Sequence, residues 1–191
     1  DGDFLYYNIV GGEQITAILD GNDVTFSAPD NYNGSEIFTV SVADVIGAND
    51  SQDFLVTVLP INDSPVATIG LSGATSEDHS VVVSLTGSDI DGDVLTFSLD
   101  SDATNGNVTL DGSLATYTPN QDFNGDDSFI FNVSDGELSD QASVSLTIDA
   151  VNDAPVLATV SDVSFDEDVS GSVSLSASDV DADDLTFSIT G

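Results

Sequence analysis

Between residues 81 and 148 the chain alternates apolar side chains with Ser and Thr in short runs: Val81 to Leu85, Leu95-Thr96-Phe97-Ser98-Leu99, Asn107 to Leu110, Ala115-Thr116-Tyr117, Ser128 to Val133 and Ala142 to Ile148. A period of two, rich in β-branched and aromatic residues and broken by Gly, Asn and Asp, predicts half-buried antiparallel strands. Leu110-Asp111-Gly112 has the composition of a hairpin turn. The alternation puts Phe129, Phe131, Val133, Val144, Leu146 and Ile148 inward, with Val83, Leu85, Leu95, Phe97 and Leu99 facing them, and Tyr117 and Phe123 as core plugs. No apolar set recurs at 3.6-residue spacing, and Ser, Thr, Val, Gly and Asp stand where helix formers would be needed, so the expected fold class is all-β.

The pattern repeats. Asp1-Gly-Asp-Phe-Leu-Tyr-Tyr-Asn-Ile9, Asp91-Gly-Asp-Val-Leu-Thr-Phe-Ser-Leu99 and Asp181-Ala-Asp-Asp-Leu-Thr-Phe-Ser-Ile189 are spaced by 90 residues. The same spacing links Asn62-Asp63-Ser64-Pro65 to Asn152-Asp153-Ala154-Pro155, and Glu77-Asp78 to Glu167-Asp168. With one insertion, an offset of 91 links Tyr32-Asn33-Gly34 to Phe123-Asn124-Gly125 and Asp44 to Asp135. About seven strands per period of this length predict tandem immunoglobulin-like β-sandwiches. Division at the prolines gives an expected partial repeat at 1–63 lacking its first strands, a complete one at 64–153 and the start of a third at 154–191, with poorly ordered ends when isolated.

Composition changes what these sandwiches can meet. The chain of 191 residues holds 35 acidic side chains, one His and neither Lys nor Arg, a formal charge of −35. Phosphate backbones and anionic membrane surfaces demand basic residues, so neither nucleic acid nor an anionic bilayer is expected as a partner. No apolar run approaches the roughly 18 residues of a membrane span, so no direct membrane insertion is expected. With no Cys and no Lys, neither a disulfide nor a Lys–Asn isopeptide can brace the fold; only metal remains.

The strand order decides where the carboxylates fall. From Pro65 the first strand runs from head to tail and reaches Glu77-Asp78; the second returns to Asp89, Asp91 and Asp93 at the head. Asp126-Asp127 then lie at the tail and Asp135 at the head, while the final strand ends at Asn152-Asp153. One junction therefore gathers Glu77, Asp78, Asp126 or Asp127, Asn152 and Asp153 with Asp179, Asp181 and Asp183 of the next repeat. The equivalents at the preceding junction are Glu36, Asn62, Asp63, Asp89, Asp91 and Asp93, with Asp135 a further candidate and Asp44 at the head of the first repeat. Carboxylates so placed repel one another, and a hard divalent cation taking about 6–8 oxygens turns that repulsion into binding. Ca²⁺ fits this oxygen-only set best: Mg²⁺ demands stricter octahedral geometry, and zinc or copper would want His or Cys.

These motifs resemble bacterial cadherin-like repeats along the whole chain. The resemblance rests on Val151-Asn152-Asp153-Ala154-Pro155, the Glu-Asp pair about a dozen residues after the linker proline, Asp-x-Asp-x-Asp before Leu-Thr-Phe, and Phe-Asn-Gly-Asp-Asp-Ser-Phe. It implies that Asn152-Asp153 is the linker Asn-Asp, Glu77 or Glu167 the early acidic ligand, and Asp179-x-Asp181 the Asp-x-Asp of the following domain. It further implies Ca²⁺ between domains of a long secreted or surface-anchored protein, with identical chains or polysaccharide as partners beside the neighbouring repeats. Asp3, Asp93 and Asp183 extend the family's Asp-x-Asp by one step, and the Asp-Arg-Glu of animal cadherins is absent, replaced at best by Asp126-Asp127.

The plainer readings differ in weight. Asp and Gly are common in solvated turns, but recurrence of Asp89, Asp91 and Asp93 as Asp179, Asp181 and Asp183 favours metal. His79 is matched by Val169 and reads as an exposed loop residue. Polysaccharide platforms want exposed aromatics, and the chain has no Trp and four Tyr. Each acidic pair recurs at the repeat period, as structural ligands do and a unique active site does not, so no enzymatic activity is expected.

Overall fold

A computed structural model describes residues 4–189; Asp1 and Asp3, which open the repeat pattern, lie outside the described residues. All regular structure among them is β, and the chain divides into two compact units between Asp63 and Ser64.

In the first unit, β1 (Leu5–Gly11), β4 (Gly34–Asp44) and β5 (Asn49–Val58) form an antiparallel sheet in the order β1-β4-β5. β2 (Thr16–Asp20) and β3 (Asp23–Ser27) make a hairpin closed by Gly21 at φ +61°. Phe38 and Ile15 are its buried centre, and the rings of Phe26 and Phe38 meet edge to face at 5.2 Å.

The second unit holds a sandwich. Its strands are β6 (Val66–Ala67), β7 (Leu71–Ser76), β8 (Val81–Ser84), β9 (Gly87–Ser88), β10 (Thr96–Ser101), β11 (Gly106–Asp111), β12 (Leu114–Pro119), β13 (Gly125–Ser134) and β14 (Ser139–Asp149). One sheet runs β10-β13-β14-β7, with β7 parallel to β14 and the other pairs antiparallel; the second runs β11-β12-β8, and β6 pairs with β9. Counting β6–β7 and β8–β9 as interrupted single strands, this is the seven-strand immunoglobulin-like arrangement expected from the alternation.

β14 shows why these residues form a strand. Ala142, Val144, Leu146 and Ile148 are buried while Ser143, Ser145 and Thr147 face solvent, so one face enters the core and the other stays wet. The core joins Val83, Val108, Ala115 and Tyr117 of one sheet to Phe129, Phe131, Val133, Val144 and Leu146 of the other. Burying each large apolar side chain contributes roughly 1.5–3 kcal/mol. Leu85 is buried as well, and Leu95, Phe97, Leu99 and Phe123 pack against the cluster, so every residue assigned to the core from the alternation is found there. Gly106 is needed beside Tyr117, because a Cβ on it would lie 2.3 Å from the tyrosine ring.

Past β14 the chain forms only β15 (Val156–Leu157) and β16 (Ala177–Ser178), which pair antiparallel, Val156 with Ser178. That ladder carries the loop after Ser178 back to the foot of the sandwich, beside the segment that leaves β14.

A candidate cation site at the foot of the sandwich

The parallel pairing of β7 with β14 ends at Ser76 opposite Asp149, and the next amide, Glu77, donates to the Asp149 carbonyl at 2.9 Å. Continuation of the ladder drives the Glu77 side chain inward, where it is 2% exposed, the buried charged side chain among the described residues. Its Oε1 accepts the Val151 amide at 2.5 Å, tying the end of β7 to the segment leaving β14. Asp78 turns the chain with φ +62°, and its Oδ1 accepts the Asp122 amide at 3.5 Å. Asp122 also has a left-handed backbone, φ +56°, in the loop between β12 and β13. That loop is fixed by hydrogen bonds from the Phe123 amide to the Asn120 carbonyl and from the Asn120 amide to the Asn105 carbonyl.

Asp153 lies at the centre. Its amide donates to Asp181 Oδ2 at 2.6 Å, while Asp179 Oδ1 accepts the Asp181 and Asp183 amides and shapes that loop. Ligand oxygens of Glu77, Asp153 and Asp181 lie within 4.8 Å of one another, and so do those of Asp78, Asp122 and Asp153. Burial, followed by the charges of Asp122, Asp181, Asp78 and Glu77, pushes the Asp153 carboxyl above the usual range. Its Oδ2 is enclosed with no hydrogen-bond donor. A buried carboxylate oxygen without a donor costs free energy, and the chain has no Lys or Arg to supply one. Crowded, donor-poor, oxygen-only surroundings suit a hard cation, so the residues present fit Ca²⁺.

The opposite end of the sandwich has a smaller group. Asp89 Oδ1 accepts the amides of Asp91, Gly92 and Asp93 at 2.9, 3.1 and 3.3 Å, which folds the Asp-x-Asp-x-Asp run into a tight turn. The three carboxylates come within 4.8 Å of one another, and Asp89 Oδ2 is enclosed without a donor.

Other expected ligands have different neighbours. Asp127 accepts the amides of Asn105, Thr104 and Ser128 and the Tyr117 hydroxyl. Desolvation raises its carboxyl, but these donors together hold it below the usual range. Glu36, 91 positions earlier, accepts the amides of Glu13, Gln14 and Ile15 and the Tyr32 hydroxyl, and is likewise held low against desolvation. Both carboxylates tie a loop to a strand. Asp126 lies on the exposed face of β13, accepting from Thr147 Oγ1. Asp135 and Asp44 cap hairpin turns: Oδ1 of Asp135 accepts the Glu137 and Leu138 amides, and that of Asp44 accepts those of Ile46 and Ala48. Asn152 is exposed, its Nδ2 donating to the Asp153 carbonyl at 2.9 Å. Asn62 and Asp63 lie half-buried at the end of the first unit, Asp183 is exposed on the loop after β16, and His79 Nδ1 lies 3.0 Å from the Glu77 carbonyl.

Asp122 was missed in the sequence. Its counterpart 91 residues earlier is Asn31, so the charge does not repeat even though the backbone does, with Asn31 at φ +60°. The usable signal was position: each precedes an aromatic-Asn-Gly triplet.

Residues 62–147, less than half of the chain, match the family model described as "Bacterial Ig domain". No curated protein matches. Among solved structures, extracellular cadherin domains 1–4 of protocadherin gamma B7 are 16% identical with a TM-score of 0.58, covering 92% of this chain and 50% of that one. Domains EC1-2 of human protocadherin-24 are 19% identical with a TM-score of 0.55, covering 80% of this chain and 84% of that one. An endo-fucoidan hydrolase from glycoside hydrolase family 107 is 22% identical over 78% of this chain and 24% of its own, with a TM-score of 0.39. The chain thus spans about a quarter of the hydrolase and half of the protocadherin gamma B7 fragment. The likeness to the cadherin domains is one of fold, that of an Ig- or cadherin-like β-sandwich repeat.

Proposed function

We propose that this chain is part of a tandem cadherin-like array of the bacterial Val-Asn-Asp-Ala-Pro linker type, in which Ca²⁺ stiffens the junction between one sandwich and the next. On this reading residues 1–63, 64–153 and 154–191 are successive repeats, and the junction ligands are Glu77, Asp153 and Asp181. The observation that carries it is Asp153 Oδ2, enclosed without a donor amid carboxylates.

The residues divide the work. Glu77 belongs to the sandwich, Asp153 to the linker and Asp181 to the segment beyond, so one shared ion joins three separate stretches of chain. When bound, Ca²⁺ supplies the positive charge this sequence lacks. The hydrogen bonds from Val151 to Glu77 and from Asp153 to Asp181 hold the oxygens in place beforehand, which limits the ordering that binding must impose. An ion held by the folded junction and not by the unfolded chain stabilises by mass action, about 2.7 kcal/mol at a hundredfold excess over Kd. The protein's role is then mechanical and non-catalytic: an extended, secreted or cell-surface spacer, adhesive in the manner of its fold relatives.

The test is thermal melting and small-angle scattering of the 191-residue chain in Ca²⁺ and in EGTA. Chelation is expected to lower Tm and broaden the distribution of end-to-end distances. Identical melting and scattering in the two conditions would overturn the reading.

A further inference from the structure

We propose that the uncovered face of the first unit is a docking site for residues 154–180 of a second copy of this chain, which add the two strands that this unit lacks. The inference rests on the repeat division proposed above and not on its metal, and it specifies how identical chains meet.

The acceptor is a sandwich open on one side. In the second unit β14 takes β7 as a parallel neighbour, Val144 opposite Leu71, and β12 takes β8, Ala115 opposite Val83. The counterparts in the first unit are β5 and β3, and among the described residues each keeps one edge without a strand. The inner face is uncovered to match: Val144, Phe131 and Ala115 are sealed in the second unit, whereas their counterparts Phe54, Val40 and Val24 are only half-buried. An unpaired edge beside exposed apolar side chains is a template for strand addition.

The donor is the reverse case, strands without a sandwich. Residues 154–180 hold the local geometry of residues 64–90. Val156 pairs with Ser178 as Val66 pairs with Ser88, and the Ala158 amide donates to the Ser176 carbonyl at 2.9 Å as the Thr68 amide does to Thr86 at 3.0 Å. Asp168 turns at φ +70° where Asp78 turns at +62°. Yet the side chains that this geometry should bury stand open. Val83 and Leu85 are 6% and 1% exposed, while Val173 and Leu175 are 49% and 40% exposed. Phe165, 62% exposed, lies against Gly171, where a Cβ would come within 2.4 Å of its ring.

The two parts match in length and in register. The 27 residues 154–180 and the 63 residues 1–63 make up the 90 of one period, and β1 already fills the place that residues 185–189 would take. Carried over at the repeat spacing, the pairing of the second unit sets Val56 opposite Val163, Val58 opposite Phe165 and Val24 opposite Val173. A second copy is favoured over the chain's own tail because the chain enters the second sandwich at one end and leaves it at the other. Ser64 Oγ donates to the Ser139 carbonyl where β14 begins, and Val151 leaves beside Glu77 where it ends. The 11 residues of that strand span roughly 36 Å. Head-to-tail docking of this kind is heterologous and extends copy by copy.

The test is sedimentation velocity of the 191-residue chain over a concentration series in EGTA, at about 0.15 M salt so that charge repulsion is screened beyond about 8 Å. The wild type is expected to form dimers and longer assemblies. Phe165→Asp and Val173→Asp, at positions exposed in the single copy, should raise Kd at least tenfold while circular dichroism shows the sandwich intact. Val169→Asp adds the same charge at a loop position, 62% exposed, and should leave association in place. A wild type monomeric up to about 1 mM overturns the docking. So does association that Phe165→Asp and Val173→Asp leave unchanged, or that Val169→Asp weakens equally. A chain that stays monomeric yet melts higher in Ca²⁺ than in EGTA overturns this docking and leaves the proposed junction standing; one that associates and melts alike in both does the reverse.

Discussion

The Tyr117 hydroxyl donates to Asp127 Oδ2 at 3.0 Å, and the corresponding carboxylate of the first unit, Glu36, is reached by a tyrosine from elsewhere, Tyr32 at 3.2 Å. Tyr117 aligns with Phe26, and Tyr32 with Phe123, at an offset of 91. Each unit thus keeps one hydroxyl on its bracketing carboxylate while exchanging Tyr and Phe between two positions. The carboxylate changes length along with them, Asp where the donor is the core tyrosine and Glu where it lies four residues upstream.

Tyr117→Phe is therefore expected to destabilise the second unit by about 1.5–3 kcal/mol, the loss of a hydrogen bond to a charged group. Adding Phe123→Tyr and Asp127→Glu recreates the arrangement of the first unit and should restore much of the loss. Urea unfolding of the single and triple variants measures both, and a triple variant no better than the single one would show that the exchange is not compensatory.

Acid should act through the same carboxylates. Asp127 is held below its ordinary value, as is Asp140, which accepts the Ala67 amide. A carboxyl whose folded pKa lies below its unfolded value of about 4 stabilises fully above that pH, and the contribution is lost as pH falls through the folded value. The stability difference between wild type and Asp127→Asn in EGTA should therefore be largest above about pH 4 and shrink below it. A difference constant from pH 7 to pH 2.5 would contradict the assignment.

Glu77→Gln should change sign with metal. Glutamine keeps an oxygen for the Val151 amide but removes a negative charge from a side chain 2% exposed, with Asp153 and Asp181 beside it. In EGTA the variant is expected to melt higher than wild type, because repulsion between the buried Glu77 carboxylate and its acidic neighbours is relieved. In Ca²⁺ it should melt lower, having lost most of the metal-dependent gain. Melting curves in both conditions decide it; a variant destabilised equally in each would assign Glu77 a packing role only.

The sequence by itself determined the strands and the core, because a period of two assigns each side chain to a face before any partner is known: Phe129, Phe131 and Val133 turn inward on β13 as their alternation requires. The repeat likewise made Glu77, Asp78, Asp153 and Asp181 recognisable as a set. What only the tertiary structure decided was the destination of each carboxylate oxygen. Asp127 and Glu36 have the spacing of junction ligands, yet they are taken up by amides 21 to 23 residues away in sequence. Those amides come within reach only when the loop closes on the strand. Asp122 shows the converse: one residue of charge difference from Asn31 leaves no repeating signal, and its place beside Asp153 exists because the β12–β13 loop, the end of β7 and the linker converge at the foot of one sandwich. Periodicity encodes the face a side chain occupies; which donors or acids it meets there is a long-range consequence of chain closure.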